Sequence, residues 1–380
     1  MKIGFDGKRA VNNMTGLGNY SRLVIEQLAQ HSPDDELIVY APSPRENPRL
    51  ELLKELPNVS FRFPQKGEAR FGKSMWRTIG LPYSIRKDEI QIFHGLSNEL
   101  PLNIRKAGIP SIVTIHDVIY RTMPQCYKAI DRRIYDFKYG NSARNATAVI
   151  AISECTKRDI MRFYGIDEQK IHLIYQDCHP SFRITREAAP TRESLAKYDL
   201  PQQYLIQVGT IELRKNALLS VQALSALKER FPDLKLLLIG RATAYHKEVM
   251  QQAVELNVAD RVITRSDIPF KDLPALVHHA FVALYPSRYE GFGLPVLEAL
   301  NAGTPTIAAT GSCLEEAGGD AAIYVNPDDA KALSQAIESI LTNPDKAAEM
   351  RAKGIDHAHR FTQYDMASAI HELYEQLLRK

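Results

Sequence analysis

The segment from Phe281 to Thr310, "FVALYPSRYEGFGLPVLEALNAGTPTIAAT", holds a strand, a turn, a helix and a second strand in thirty residues. "FVALYPS" (281–287) and "TPTIAAT" (304–310) are short, apolar and rich in strand formers. Between them the chain turns through "RYEGFG", and Pro295 stands where a helix starts, a position that needs no amide donor. Gly303 followed by Pro305 ends that helix and launches the next strand. Glu290 precedes the glycine turn and Glu298 lies about one turn into the helix, so the two carboxylates are expected to point to different parts of one ligand.

Outward from this segment the same alternation runs along the chain. Strands are predicted at 2–6, 37–41, 60–63, 92–95, 111–116 and 148–153, and again at 204–209, 234–240 and 261–265, with a last one at 321–326. Helical periods separate most of them, at 18–30 and 129–144 for example, and residues 364–380 read as an amphipathic helix. Residues 176–202 break the rhythm with three prolines and mixed charge, as a linker does. The reading is α/β: two doubly wound Rossmann-like domains, 1–180 and 195–363, the final helix packing back on the first. Ligands bind such sheets at the carboxyl ends of their strands, so a cleft between two facing sheets is the expected active site.

Composition narrows the class. At 380 residues, 44% hydrophobic and 24% charged, the chain can bury large cores. Cys126, Cys155, Cys178 and Cys313 lack the spacing of a zinc site or a disulfide framework, which fits a reducing cytoplasm. No signal peptide and no apolar run long enough to span a membrane are read. Residues 1–175 carry 26 Lys and Arg against 19 Asp and Glu, leaving 48−26=22 against 45−19=26 for the remainder. A basic first half suits an anionic acceptor or lipid head group, although so mild an excess reads first as solvated charge.

Several residues have the chemistry for a polyhydroxylated, anionic ligand. A helix start with Gly291 and Gly293 before it exposes amides to close approach, and carboxylates beside it accept hydrogen bonds from hydroxyls. A sugar on a diphosphate carrier offers hydroxyls to Glu290 and a ribose diol to Glu298. In "VGTIELRKN" (208–216), Arg214 and Lys215 follow a strand and a glycine turn, where they can neutralise a diphosphate. "TIHDVIY" (114–120) sets His116 and Asp117 at a strand's carboxyl end, and "NNMTGLGNYSRL" (12–23) sets Gly16 and Gly18 before a helix. "ARFGKSMWRTIGLPYSIRKDE" (69–89) mixes Arg70, Lys73, Arg77, Arg86 and Lys87 with Phe71, Trp76 and Tyr83; it reads as a helix packed on the sheet, with a lipid-facing patch as the alternative.

"SRYEGFGLPVLEALNAGTPTIAAT" resembles the carboxyl-terminal signature of the retaining glycosyltransferases of family four, which have the GT-B fold. The resemblance spans nearly the whole chain and is strongest over 204–326. It implies that Glu290 contacts hydroxyls of the donor sugar and Glu298 the ribose, with the backbone of Gly291, Phe292, Gly293 and Leu294 lining sugar and phosphate. It implies that Arg214 and Lys215, beside Gly209 and Thr210, clamp the diphosphate and support the leaving group. Many members have Arg directly after that glycine, where this chain has Thr210. His116 would contact the donor sugar, and the loop of Gly16 and Gly18 would lie close to the donor phosphates and the acceptor.

There is no D-x-D in the chain, so no cofactor and no metal are expected, and the diphosphate charge falls to Arg214, Lys215 and helix amides. Motifs of P-loop nucleotidases, zinc proteases and α/β-hydrolases are also missing. "GTIELRKN" with "EGFGLP" most resembles the mannosyltransferases of bacterial polysaccharide assembly. The implied reaction moves mannose from GDP-mannose to a glycan or lipid-linked acceptor, in the cytoplasm or at the inner membrane face, with no nucleic-acid partner. UDP-sugar donors, a sugar-nucleotide epimerase of similar fold and a catalytically silent binding protein stay open as alternatives.

Overall fold

A computed structural model of the chain describes residues 1–70, 72–184, 191–201 and 203–379, without the side chains of 192–194, 362 and 363. Phe71 and parts of the 176–202 linker therefore lie outside the described residues. The chain forms two compact units, Met1–Gln176 with Asp365–Lys380, and Asp177–Tyr364.

The first unit is built on seven parallel strands: β1 (Lys2–Asp6), β2 (Glu36–Tyr40), β3 (Val59–Arg62), β4 (Ile92–Gly95), β5 (Ser111–Ile115), β6 (Ala148–Ala151) and β7 (Ile171–Leu173). Their order is β3-β2-β1-β4-β5-β6-β7. Helices cover both faces, so the central strands read as continuous apolar runs; Ile3, Phe5, Ile92, Phe93 and Ile112 are fully buried. β7 is missing from the sequence reading because "IHL" is too short to show a period, and it forms by pairing with β6 at the sheet's edge.

Two details of this unit bear on the site. The helix Gly16–His31 begins two residues before the predicted start, so Gly16 and Gly18 lie in its first turn, not before it. A Cβ on Gly18 would meet the Asn13 carbonyl oxygen at 1.9 Å, whereas one on Gly16 would meet nothing within 4 Å. Trp76 and Arg77 lie in a π-helical turn (Trp76–Gly80), are 2% and 8% exposed, and so pack inward as the sequence reading favours. The final helix, Met366–Arg379, packs on Gly16–His31 and sends the Tyr374 hydroxyl to Nδ1 of the buried His94 at 2.6 Å.

The second unit repeats the plan with β8 (Tyr204–Val208), β9 (Lys235–Ile239), β10 (Val262–Arg265), β11 (Val282–Tyr285), β12 (Thr306–Ala309) and β13 (Ile323–Val325). All six are parallel, in the order β10-β9-β8-β11-β12-β13. The connection reverses direction between β8 and β11, and in the first unit between β1 and β4. At such a switch point the loops leaving the two strands diverge and open a crevice.

Candidate active site

At the switch point of the second unit, β8 and β11 carry the two segments that the sequence singles out. After β8 the chain passes Gly209, at φ +137°, and a Cβ on Gly240 at the end of β9 would meet the Gly209 carbonyl oxygen at 2.1 Å. Only glycines allow that approach. A short 3-10 turn, Leu213–Lys215, then leads through Asn216 in the left-handed region into the helix Ala217–Ala226. The Asn216 amide donates to the carbonyls of Pro286 (3.1 Å) and Pro327 (2.7 Å), and the Arg288 amide donates to the Arg214 carbonyl at 2.9 Å. These bonds tie the loop after β8 to the loops after β11 and β13.

Between the two loops sits Glu290, 9% exposed and ion-paired to both cations: to Arg214 through Oε2 and to Lys215 through Oε1 at 2.7 Å. Lys215 approaches Oε1 without hydrogen-bond alignment, and no donor among the described residues supplies one. Arg214 also donates to the Tyr289 carbonyl (2.9 Å) and to Glu212 on the exposed rim (2.7 Å), and Lys215 to the Tyr285 hydroxyl (2.5 Å). Burial acts to raise the Glu290 pKa, but Lys215 and Arg214 outweigh it and hold it at about 2. For Lys215 burial prevails over the attraction of Glu290, and with Arg214 beside it the ammonium binds its proton less tightly than usual. Burial also disfavours the Arg214 cation, but Glu290 and Glu212 more than compensate and raise its pKa. A buried ion cluster of this kind is held only while every member keeps its partners.

The sequence reading places the glycine turn next, and the helix it predicts is present at Leu294–Asn301, entered through Gly293 at φ +118°. The amides of Gly293 and Leu294 donate to nothing among the described residues, and Pro295 has none to donate. Two open N–H groups at a helix start, with two cations paired to Glu290 just before it, have the chemistry to take an anion. Phe292 contributes only backbone there, because its ring is buried against Phe361 at 5.6 Å. Glu298 lies one turn further, beside Tyr285, Pro295 and Thr306 in a small cavity, and burial, partly offset by Lys215, raises its pKa to about 7. One carboxylate is thus fully ionised at neutral pH while its neighbour is poised between states.

Two side chains went unread in the sequence. The hydroxyls of Ser287 and Ser312, at the carboxyl ends of β11 and β12, are buried and bond to nothing among the described residues. The position of Ser287 at the end of the predicted strand 281–287 was the available signal. Ser312, in "ATGSC", had none.

In the first unit, His116 follows β5 and is 6% exposed. Its Nε2 bonds to the Leu96 carbonyl at 2.9 Å; a carbonyl only accepts, so Nε2 carries the proton and Nδ1 is the acceptor. Burial holds the ring neutral, with a pKa lowered to about 4, and Tyr20 meets it edge-on at 4.6 Å. The glycine loop is held by Arg22, which donates to the carbonyls of Ala10 (2.7 Å) and Asn13 (2.9 Å), and by Arg49, which donates to the Met14 carbonyl at 2.9 Å.

Known proteins share both halves. The family described as "Glycosyltransferase Family 4" matches residues 14–176, and "Glycosyl transferases group 1" matches 191–357. O-antigen chain mannosyltransferase B of Escherichia coli is 26% identical over 95% of this chain and 96% of its own. An MMP alpha-(1->4)-mannosyltransferase of Mycolicibacterium hassiacum is 25% identical over 100% and 99%. Among solved structures, Anabaena HepE in complex with UDP and glucose aligns over 100% of both chains with a TM-score of 0.76 at 19% identity. WaaG, a glycosyltransferase involved in lipopolysaccharide biosynthesis, aligns over 99% of both with a TM-score of 0.74 at 16% identity. With a family profile on each half and the GT-B fold throughout, the chain belongs to the family four, group 1 glycosyltransferases.

Proposed function

We propose that this glycosyltransferase moves mannose from GDP-mannose to a glycan or lipid-linked acceptor in the assembly of a cell-surface polysaccharide, with retention at the anomeric carbon and without a metal. The observation that carries the reading is Glu290 clamped between Arg214 and Lys215 beside the open amides of Gly293 and Leu294. A hexose diphosphate offers that arrangement both of its chemistries. Its phosphates take the cations and amides, and its hydroxyls take the carboxylate. Departure of the diphosphate builds negative charge, and fixed cations in a poorly solvated site stabilise it without reorganising. Glu290 orients the sugar, Glu298 accepts from the ribose diol, and His116 offers Nδ1 to a sugar hydroxyl.

The choice of mannose rests on the names of relatives, mannosyltransferases that this chain matches over most of their length. HepE, bound to UDP-glucose in another of its structures, supports the UDP-sugar alternative only through a shared fold. No described helix is long and apolar enough to cross a membrane. A lipid-linked acceptor would be met at a membrane surface, which the exposed Met75, Ile79 and Tyr83 beside Lys73, Arg86 and Lys87 suit.

The test is a donor screen by mass spectrometry with several nucleotide sugars, with and without EDTA. Release of GDP from GDP-mannose in EDTA, lost in Glu290→Gln, is the expected result. Release of UDP instead would move the reading to a UDP-sugar transferase, and conversion of a donor to its isomer would make the protein an epimerase.

A further inference from the structure

The first unit holds two cations that its own carboxylates leave unanswered. Lys8 and Arg9 follow β1 directly, in the short helix Lys8–Asn12, and both are half-buried. Neither the Lys8 ammonium nor the Arg9 guanidinium has a hydrogen-bond or ion-pair partner among the described residues. The nearby acids are committed elsewhere. Asp6 bonds to Arg77 (2.9 Å to Nε), and Glu99 takes both Arg77 (2.9 Å) and Lys138 (3.4 Å). Asp117, whose charge also reaches Tyr139, accepts the Ile119 amide at 3.1 Å.

Half-burying two adjacent cations without a bonded partner is unfavourable, and the Lys8 pKa is lowered by burial and then by Arg77, which Glu99 and Asp6 offset only in part. Nothing in the packing requires charge there. The place is the switch point of the sheet, where a ligand is expected. The charge on Arg9 reaches His116 and Tyr139, and Asp117 and Glu99 act on Tyr139 as well, so these groups lie near one another by the carboxyl ends of β1, β4 and β5. A neutral histidine and two cations without a bonded partner suit a phosphate joined to hydroxyl-bearing groups.

We propose that Lys8 and Arg9 form a phosphate-binding point of the first unit, separate from the Arg214–Lys215 pair. Its ligand is a phosphate ester or diphosphate, either on the acceptor's carrier or on the sugar donor. The identification of that ligand rests on the transferase reading above; the existence of the site does not.

The experiment uses the full chain and the double variant Lys8→Gln/Arg9→Gln in two titrations by calorimetry. One measures GDP alone; the other measures inorganic pyrophosphate with GDP held at saturation, which occupies the second unit. A loss of about tenfold or more in pyrophosphate affinity with GDP affinity unchanged assigns the point to the acceptor's phosphate. The same loss in GDP affinity assigns it to the donor. Since neither side chain bonds to another charge, the variant should melt with the parent, and Lys8→Arg/Arg9→Lys should restore binding. Unchanged affinity in both titrations, in a folded variant, overturns the proposal. Pyrophosphate binding that depends on Lys8 and Arg9, in a protein that consumes no nucleotide sugar, would sink the transferase reading and leave this one standing.

Discussion

The two units bury an arginine at the same place in their sheets and use it differently. In the first, Arg77 lies between Asp6 and Glu99, with Lys138 on Glu99 as well, so two cations meet two buried carboxylates and the bonds are complete. In the second, Arg214 and Lys215 share one buried carboxylate, Glu290, with Glu212 joining from a rim that solvent screens. The loops at that end of the sheet also hold two open amides and two hydroxyls, of Ser287 and Ser312, unbonded among the described residues. The lesson is that a buried ion cluster marks a ligand site when its hydrogen bonding is unfinished; a finished one holds the fold.

The contrast predicts opposite phenotypes for similar substitutions. Glu290→Gln should lower kcat/KM about 100-fold or more, on the scale of one lost electrostatic contact in a transition state. Glu290→Ala should in addition cost about 3–5 kcal/mol, since two largely buried cations lose their shared counter-charge. Arg77→Met should cost a similar ~3–5 kcal/mol while nucleotide affinity per folded molecule is kept. Chemical denaturation beside calorimetric GDP titration separates the two; loss of GDP affinity in folded Arg77→Met would break the comparison.

Titration sharpens it further. The folded pKa of Glu290 is depressed to about 2 from an ordinary 4.5, so its stabilisation is complete above 4.5 and is lost as pH falls through about 2. Glu298 runs the other way: its pKa is raised to about 7, so its contribution to stability is complete below 4.5 and is lost as pH rises through about 7. On the proposed role, in which the ionised form accepts from a ribose diol, GDP affinity should climb as pH rises toward 7 and level off above it, by at most about tenfold per unit for one proton. Glu298→Gln should flatten that climb, and a slope that survives in Glu298→Gln would remove Glu298 from the ribose site. The smallest effects belong to the glycine loop. Gly18→Ala should destabilise by about 1–3 kcal/mol as its methyl is driven into the Asn13 carbonyl, and Gly16→Ala should stay within about 0.5 kcal/mol. Thermal melts check both.

Local signals carried most of the fold. Runs such as "KIGFD" and "LKLLLIG" are apolar because parallel strands are covered on both faces, and periodicity sees that directly. β7 escaped it because its three residues owe their conformation to β6. At the site, Glu290, Glu298, Arg214 and Lys215 were legible because glycines, a proline and a strand end bracket them. That Glu290 sits between both cations was not, since 75 residues separate Arg214 from the Tyr289 carbonyl it holds. Lys8 and Arg9 were passed over for the same reason: whether a cation is answered depends on where distant carboxylates go.

The most direct measurement is the calorimetric affinity of the wild-type chain and of Lys215→Met for GDP-mannose. Saturable binding by the wild type that weakens at least tenfold in a folded Lys215→Met is the result predicted for a diphosphate site at the switch point of the second sheet. Equal affinity in the two proteins would place the nucleotide sugar elsewhere and contradict the account.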